Sequence, residues 1–211
     1  MDLYASFSSL FTLADLVGTI AFAMSGVMLA SRLKMDMVGV VVLAFLPACG
    51  GGTVRDLLLG ATPFWMEQPY YLYAVFFTAM VGQFTVVHYH ESLPRWVLPT
   101  FDAIGLAVFT VAGIDKALLY GFGWEVSVTM GVLTGCGGGL LRDVVATERA
   151  GLLSTEVYAT VSLAGGLLLF VMRKLELFNL GTMSFIACVF IFVFRMIAWH
   201  RNWHLPRVVL K

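Results

Sequence analysis

Cys49-Gly50-Gly51-Gly52-Thr53-Val54-Arg55-Asp56 returns later in the chain as Cys136-Gly137-Gly138-Gly139-Leu140-Leu141-Arg142-Asp143. The offset is 136 − 49 = 87 residues, and it extends well beyond the octet. Without a gap it pairs Asp15 with Asp102, Gly18 with Gly105, Phe22 with Phe109 and Gly26 with Gly113. It also pairs Ala30 with Ala117, Leu46 with Leu133 and Tyr71 with Tyr158. The chain is an internal duplication, and each copy carries a glycine triplet followed by an Arg-Asp pair. Three consecutive glycines favour a break in a helix, and a broken helix in hydrocarbon is tolerated only around a cavity or site.

The surroundings of the two octets are strongly apolar. Hydrophobic residues make up 60% of the chain and charged residues only 12%, with a mean hydropathy of +0.89. That composition belongs to integral membrane proteins. Zero formal net charge argues against a nucleic-acid partner. Cys49, Cys136 and Cys188 form no disulfide framework; they read as small packing residues. Residues 1–12 lack a basic n-region, so the first apolar stretch is expected to remain as a membrane span.

A spanning helix needs about 20 apolar residues. The apolar stretches fall at 11–31, 35–60, 70–88, 101–120, 125–147, 155–172 and 181–199. This pattern predicts one all-α membrane domain with repeat one at 11–88, repeat two at 101–172 and an additional C-terminal helix at 181–199. The second and fifth stretches carry the triplets and are expected to break there. Three spans per copy is odd, so the copies enter the membrane in opposite orientations and form an inverted repeat. With the N-terminus outside, the cytoplasmic face receives Arg32, Lys34, Arg95, Arg142, Arg149, Arg195, Arg201, Arg207 and Lys211. The other face receives Arg55, Lys116, Arg173 and Lys174. The excess sets the N-terminus outside and the C-terminus in the cytoplasm.

A break leaves carbonyls unsatisfied at the end of one half-helix and amides unsatisfied at the start of the next. The carbonyls of 46–49 and 133–136 would suit a cation, and the amides after Gly52 and Gly139 an anion or carboxylate. Arg55, Asp56, Arg142 and Asp143 lie within a turn of these ends, at a depth where charges are costly unless paired or hydrated. One plain reading is that Arg55 pairs with Asp143, or Arg142 with Asp56, and locks the copies together. Another is helix packing, because Ala44, Ala48 and Gly52, matched by Gly131, Gly135 and Gly139, form a stripe of small residues. Asp15 and Asp102 read as helix N-caps. Asp115 and Lys116 replace Met28 and Leu29 of the first copy, an asymmetry that fits either a gate or an interfacial ion pair. His88 and His90 are too weak a pattern for a metal. No catalytic or nucleotide-binding motif appears, so neither an enzyme nor a cofactor is expected.

Ala21-Phe22-Ala23-Met24-Ser25-Gly26, the two GGGxxRD segments and Pro63 resemble the prokaryotic members of the trimeric intracellular cation (TRIC) channel family. That domain is also described as a glycine-transporter domain. The resemblance covers nearly all of 11–200. It implies seven spans arranged three plus three plus one, and a homotrimer with a potassium-permeable pore inside each protomer. It further implies that the second and fifth spans kink at Gly50, Gly51, Gly52, Gly137, Gly138 and Gly139 and line that pore. Ser25, Thr53, Arg55, Asp56, Asp115, Lys116, Arg142 and Asp143 are the polar candidates for pore or gate. Ala150 stands where many relatives have a proline, the counterpart of Pro63. The implied partners are potassium or sodium ions, membrane lipids and further copies of the chain. The alternative reading is a secondary transporter of a small zwitterion such as glycine, held between half-helix ends.

Overall fold

Asp36 opens the helix that carries the first triplet: its side chain accepts from the Gly39 amide at 2.8 Å, satisfying one of the amides that a helix start leaves without a partner. This and the other elements come from a computed structural model that describes residues 2–89, 94–146 and 157–203. Among the described residues there are eight helices: α1 (Asp2–Arg32), α2 (Met37–Leu58), α3 (Phe64–Glu67), α4 (Tyr70–Tyr89), α5 (Val97–Leu119), α6 (Trp124–Val145), α7 (Ala159–Lys174) and α8 (Leu180–His200). The seven long ones coincide with the seven apolar stretches. The one-turn helix α3, seeded by Pro63, was not foreseen.

Both triplets lie inside continuous helices, since α2 and α6 run unbroken through Gly50–Gly52 and Gly137–Gly139. This corrects the expected break. Each glycine costs a helix about 1 kcal/mol relative to alanine. A break in hydrocarbon strands several backbone groups at several kcal/mol each, so the continuous helix wins. With the breaks go the free carbonyls at 46–49 and 133–136 and the free amides after Gly52 and Gly139. Pro47 does interrupt the ladder of α2: lacking an N–H, it leaves the Leu43 carbonyl without its usual partner. Gly26 of α1 packs directly on that carbonyl.

The glycines instead let backbones touch. A side chain at Gly51 would collide with the Thr134 carbonyl oxygen, and one at Gly138 with the Pro47 carbonyl oxygen. Under the 87-residue offset these two contacts are images of each other. As α2 advances from 47 to 51, its partner recedes from 138 to 134, so the two helices cross antiparallel. The same reciprocity joins α1 and α5: Gly18 faces Phe109, Gly105 faces Phe22, and Phe22 stacks on Phe109 with centroids 5.5 Å apart. Phe22 and Phe109 are equivalent residues, so their stack lies on the pseudo-twofold axis. Antiparallel contact between equivalent helices is the geometry of an inverted repeat.

Polarity is arranged inside out. Phe77 and Phe185 are 68% and 69% exposed, while Arg55, Asp56, Asp102, Arg142, Asp143 and Arg195 are buried. Four helices, Thr12–Arg32, Met37–Leu58, Val97–Leu119 and Leu180–His200, are long and apolar enough to cross a membrane. An apolar exterior around a charged interior identifies an integral membrane protein.

Candidate functional site

The pseudo-axis divides the buried charges into two clusters, one at each Arg-Asp motif. Near the end of α2, Arg55 Nε donates to Asp56 Oδ1 at 2.8 Å. Lys116 Nζ of α5 reaches the same oxygen at 2.8 Å, and the Phe64 amide donates to Asp56 Oδ2 at 2.9 Å. Helix α3 makes that last contact possible. Pro63 turns the chain back so that the Phe64 ring lies over the Arg55 guanidinium, 5.9 Å from its carbon. Trp65 Nε1 donates to Thr53 Oγ1 at 2.9 Å, while Thr53 itself donates to the Cys49 carbonyl at 2.7 Å. The Asp56 carboxylate, fully buried, is thus held by two cations and an amide.

The second cluster is richer. Arg142 donates to Asp143 at 2.8 Å, to Ser25 Oγ of α1 at 2.8 Å and to Asp102 of α5 at 3.1 Å. Its planar fork suits this multiple grip. Arg195 of α8 stacks over the Tyr158 ring at 4.8 Å, and a side chain at Gly139 would meet the Tyr158 hydroxyl at 3.0 Å. The first cluster thus draws Lys116 from the other repeat, and the second draws Ser25.

Several expectations change here. Each motif arginine pairs with the aspartate next to it in sequence, so Arg55–Asp143 and Arg142–Asp56 are not the locks. The side chains are drawn to the nearest opposite charge, and the cross-repeat ties are made by Lys116 and Ser25. Asp15 lies in the interior of α1, and Asp102 lies in the second turn of α5, whose N-cap is Trp96. Neither is an N-cap, because each helix begins earlier and Asp102 is taken by Arg142. Asp115 and Lys116 do not pair with each other. Their side chains diverge around α5, Lys116 to Asp56 and Asp115 to Arg173 of α7 at 2.5 Å, with Ser184 of α8 also bonded to Arg173 at 3.0 Å.

Cys49 and Cys136 are buried and Cys188 is half-buried. Among the described residues no group of His, Cys, Asp and Glu is placed to hold a metal. His90, Arg149, Ala150, Arg207 and Lys211 lie outside the described residues. Sequence reasoning missed Phe64, Trp65 and Tyr158 as partners of the clusters, and Arg173 as the partner of Asp115. It counted Arg195 only as a basic residue, although a single arginine inside an apolar helix signals an interior partner.

The sequence matches the Glycine transporter family over residues 12–86 and 99–174, two segments whose starts differ by the same 99 − 12 = 87 residues. A UPF0126 membrane protein of Vibrio cholerae is 50% identical over 161 residues, 76% of this chain and 67% of its own. The UPF0126 inner membrane protein YadS of Escherichia coli is 42% identical over 189 residues, 88% of this chain and 91% of its own. The solved TRIC trimeric intracellular cation channel orthologue from Rhodobacter sphaeroides superposes with a TM-score of 0.84 at 33% identity, covering 92% of this chain and 100% of that one.

Proposed function

Because the chain belongs to the Glycine transporter family and shares the fold of TRIC channels, we propose that it is a homotrimeric, potassium-permeable monovalent-cation channel. The observation that carries this reading is the superposition on the Rhodobacter sphaeroides channel across nearly the whole of both chains. Buried charge clusters on either side of the crossing of two equivalent helices add physical support.

In this reading each protomer is one membrane domain of seven spans, with repeats 11–88 and 101–172 and a further helix at 181–199. It sits in the inner membrane with its N-terminus outside. Each protomer contains a pore along α2 and α6, with Gly50–Gly52 and Gly137–Gly139 at its waist. Ser25, Arg55, Asp56, Arg142 and Asp143 supply polar groups along the path, while Thr53, Asp115 and Lys116 flank one end as gate residues. The permeating species are potassium or sodium, and no covalent chemistry is involved.

The zwitterion-transporter alternative drew its strength from half-helix ends that would hold a carboxylate and an ammonium. Continuous α2 and α6 offer no such ends, nor the free carbonyls that a break would give a cation, so the channel reading rests on the likeness to the solved TRIC channels. Planar-bilayer recording of the purified protein in potassium chloride separates the two. Discrete ohmic steps are expected; saturable glycine uptake without conductance would overturn the channel reading.

A further inference from the structure

At the end of the molecule where α5 begins and α8 finishes lies an open groove of about 600 Å³. It is lined by Trp96 at the start of α5 and by Phe192, Val193, Met196, Trp199 and Arg201 along and just after α8. Its floor is apolar and uncovered: Val193 is 44% exposed and Trp96 52%. Its rim is basic at the end of α8, where His200 and Arg201 line it, and Arg95, exposed, adjoins the lining residue Trp96 in sequence.

Backbone hydrogen bonds hold the α8 side of the rim. The Arg201 amide donates to the Ile197 carbonyl at 2.8 Å and the Trp203 amide to the Ala198 carbonyl at 2.9 Å. Between them Asn202 takes a positive φ of 50°, the left-handed turn that closes many helices. Trp203 then folds back edge-on against Phe194, with centroids 6.1 Å apart. The last carbonyls of α8 are therefore satisfied, and Arg201 leaves a fixed backbone with its side chain at the mouth of the groove.

An apolar trough with tryptophans and arginines at one end matches one molecule well. Its aliphatic part belongs in the trough, its anionic part beside a guanidinium that binds phosphate through paired donors, and its glycerol region level with the indoles. We propose that this groove binds an anionic phospholipid, with one acyl chain along Val193 and Phe192 and the phosphate at Arg201 and Arg95. The site is separate from both charge clusters and does not depend on what the protein conducts.

The test uses the full-length protein in detergent, titrated with phosphatidylglycerol or phosphatidylcholine and followed by retained lipid in native mass spectrometry. Wild type should retain phosphatidylglycerol in preference to phosphatidylcholine. In R95Q/R201Q the preference should fall roughly five-fold for each arginine removed, as about 1 kcal/mol per basic residue near an anionic surface implies. A second variant, Val193→Trp, fills the trough but keeps the rim, and should lose the same preference. Equal retention of phosphatidylglycerol by wild type and both variants would overturn the site. So would competition by inorganic phosphate at concentrations equal to the lipid, which would mark a simple anion site. Dissociation of the oligomer by Val193→Trp would also overturn it, because the groove would then be a contact between copies of the chain. Failure of the channel reading leaves these outcomes untouched, since none is read from conductance.

Discussion

Lys116 Nζ lies 2.8 Å from Asp56 Oδ1, joining α5 of the second repeat to α2 of the first. The repeat symmetry provides no equivalent bond, because Leu29 occupies the matching position. Asp56 is fully buried, while the Lys116 side chain keeps 24% of its surface exposed. The two ends of this bond should therefore respond unequally to mutation. Asp56→Asn leaves two cations facing a neutral amide, a loss of about 3–5 kcal/mol when a buried pair loses one partner. Lys116→Met leaves Asp56 with Arg55 and the Phe64 amide, and should cost clearly less. Thermal unfolding in detergent checks the order; a larger drop for Lys116→Met would show that Asp56 is not the hub.

Arg142 should be the least replaceable side chain of the second cluster. Among the described residues it bonds Asp143, Asp102 and Ser25 from three helices. Lysine keeps the charge but has no planar fork, so Arg142→Lys is expected to recover only part of the stability lost in Arg142→Met. The loss in Arg142→Met should be about 3–5 kcal/mol, because it takes the cation from the buried Asp102 carboxylate. Ser25→Ala removes one acceptor from the buried guanidinium and should cost about 1.5–3 kcal/mol, as for a hydrogen bond to a charged group. If Arg142→Lys unfolds at the wild-type temperature, the fork geometry has no energetic role.

The basic residues predict a cytoplasmic C-terminus. A reporter fused after Lys211 should be active only in the cytoplasm, and one fused before Met1 only outside. Chemical cross-linking in native membranes should yield a ladder that stops at three subunits. A C-terminal reporter active only outside would invert the whole arrangement, and with it the placing of Arg201 on the cytoplasmic face.

Much of the architecture was legible because a membrane helix must be long and apolar, and because duplicated residues recur at a fixed offset. Hence the seven long helices fell where the apolar stretches lie, and Phe22 and Phe109 meet on the axis that relates the copies. The failures share a physical cause. Glycine propensity describes an isolated backbone, whereas α2 and α6 are held by packing and by the absence of any other hydrogen-bond partner in hydrocarbon. The Arg-Asp motifs announced buried charge, but not which carboxylate each arginine would take. That depends on Pro63 turning α3 back over Arg55, and on the side-chain directions of Asp115 and Lys116, neither of which a linear pattern encodes.

The glycine triplets provide the sharpest test, because the three positions of one triplet are not equivalent. A methyl group at Gly138 would strike the Pro47 carbonyl, which is backbone and cannot move without shifting α2. A methyl group at Gly137 would meet only the Gly51 Cα at 3.6 Å, an ordinary contact. Gly138→Ala should therefore destabilise the protein by about 1–3 kcal/mol through overpacking. Gly137→Ala should be neutral or stabilising by up to about 1 kcal/mol, as alanine is the better helix former. Gly51→Ala, facing the Thr134 carbonyl, should behave like Gly138→Ala because the two sites are images of each other. Gly166→Ala is the control outside both motifs, where a methyl would meet the Val128 and Ile114 side chains at 3.1 and 3.2 Å, and it should fall between. Unfolding temperature and single-channel conductance should be read on the same preparations. If Gly137→Ala and Gly138→Ala lower stability equally, the close crossing of α2 and α6 is not what the triplets are for. If instead Gly137→Ala keeps full stability but loses conductance, the triplet serves the ion path as well as the packing.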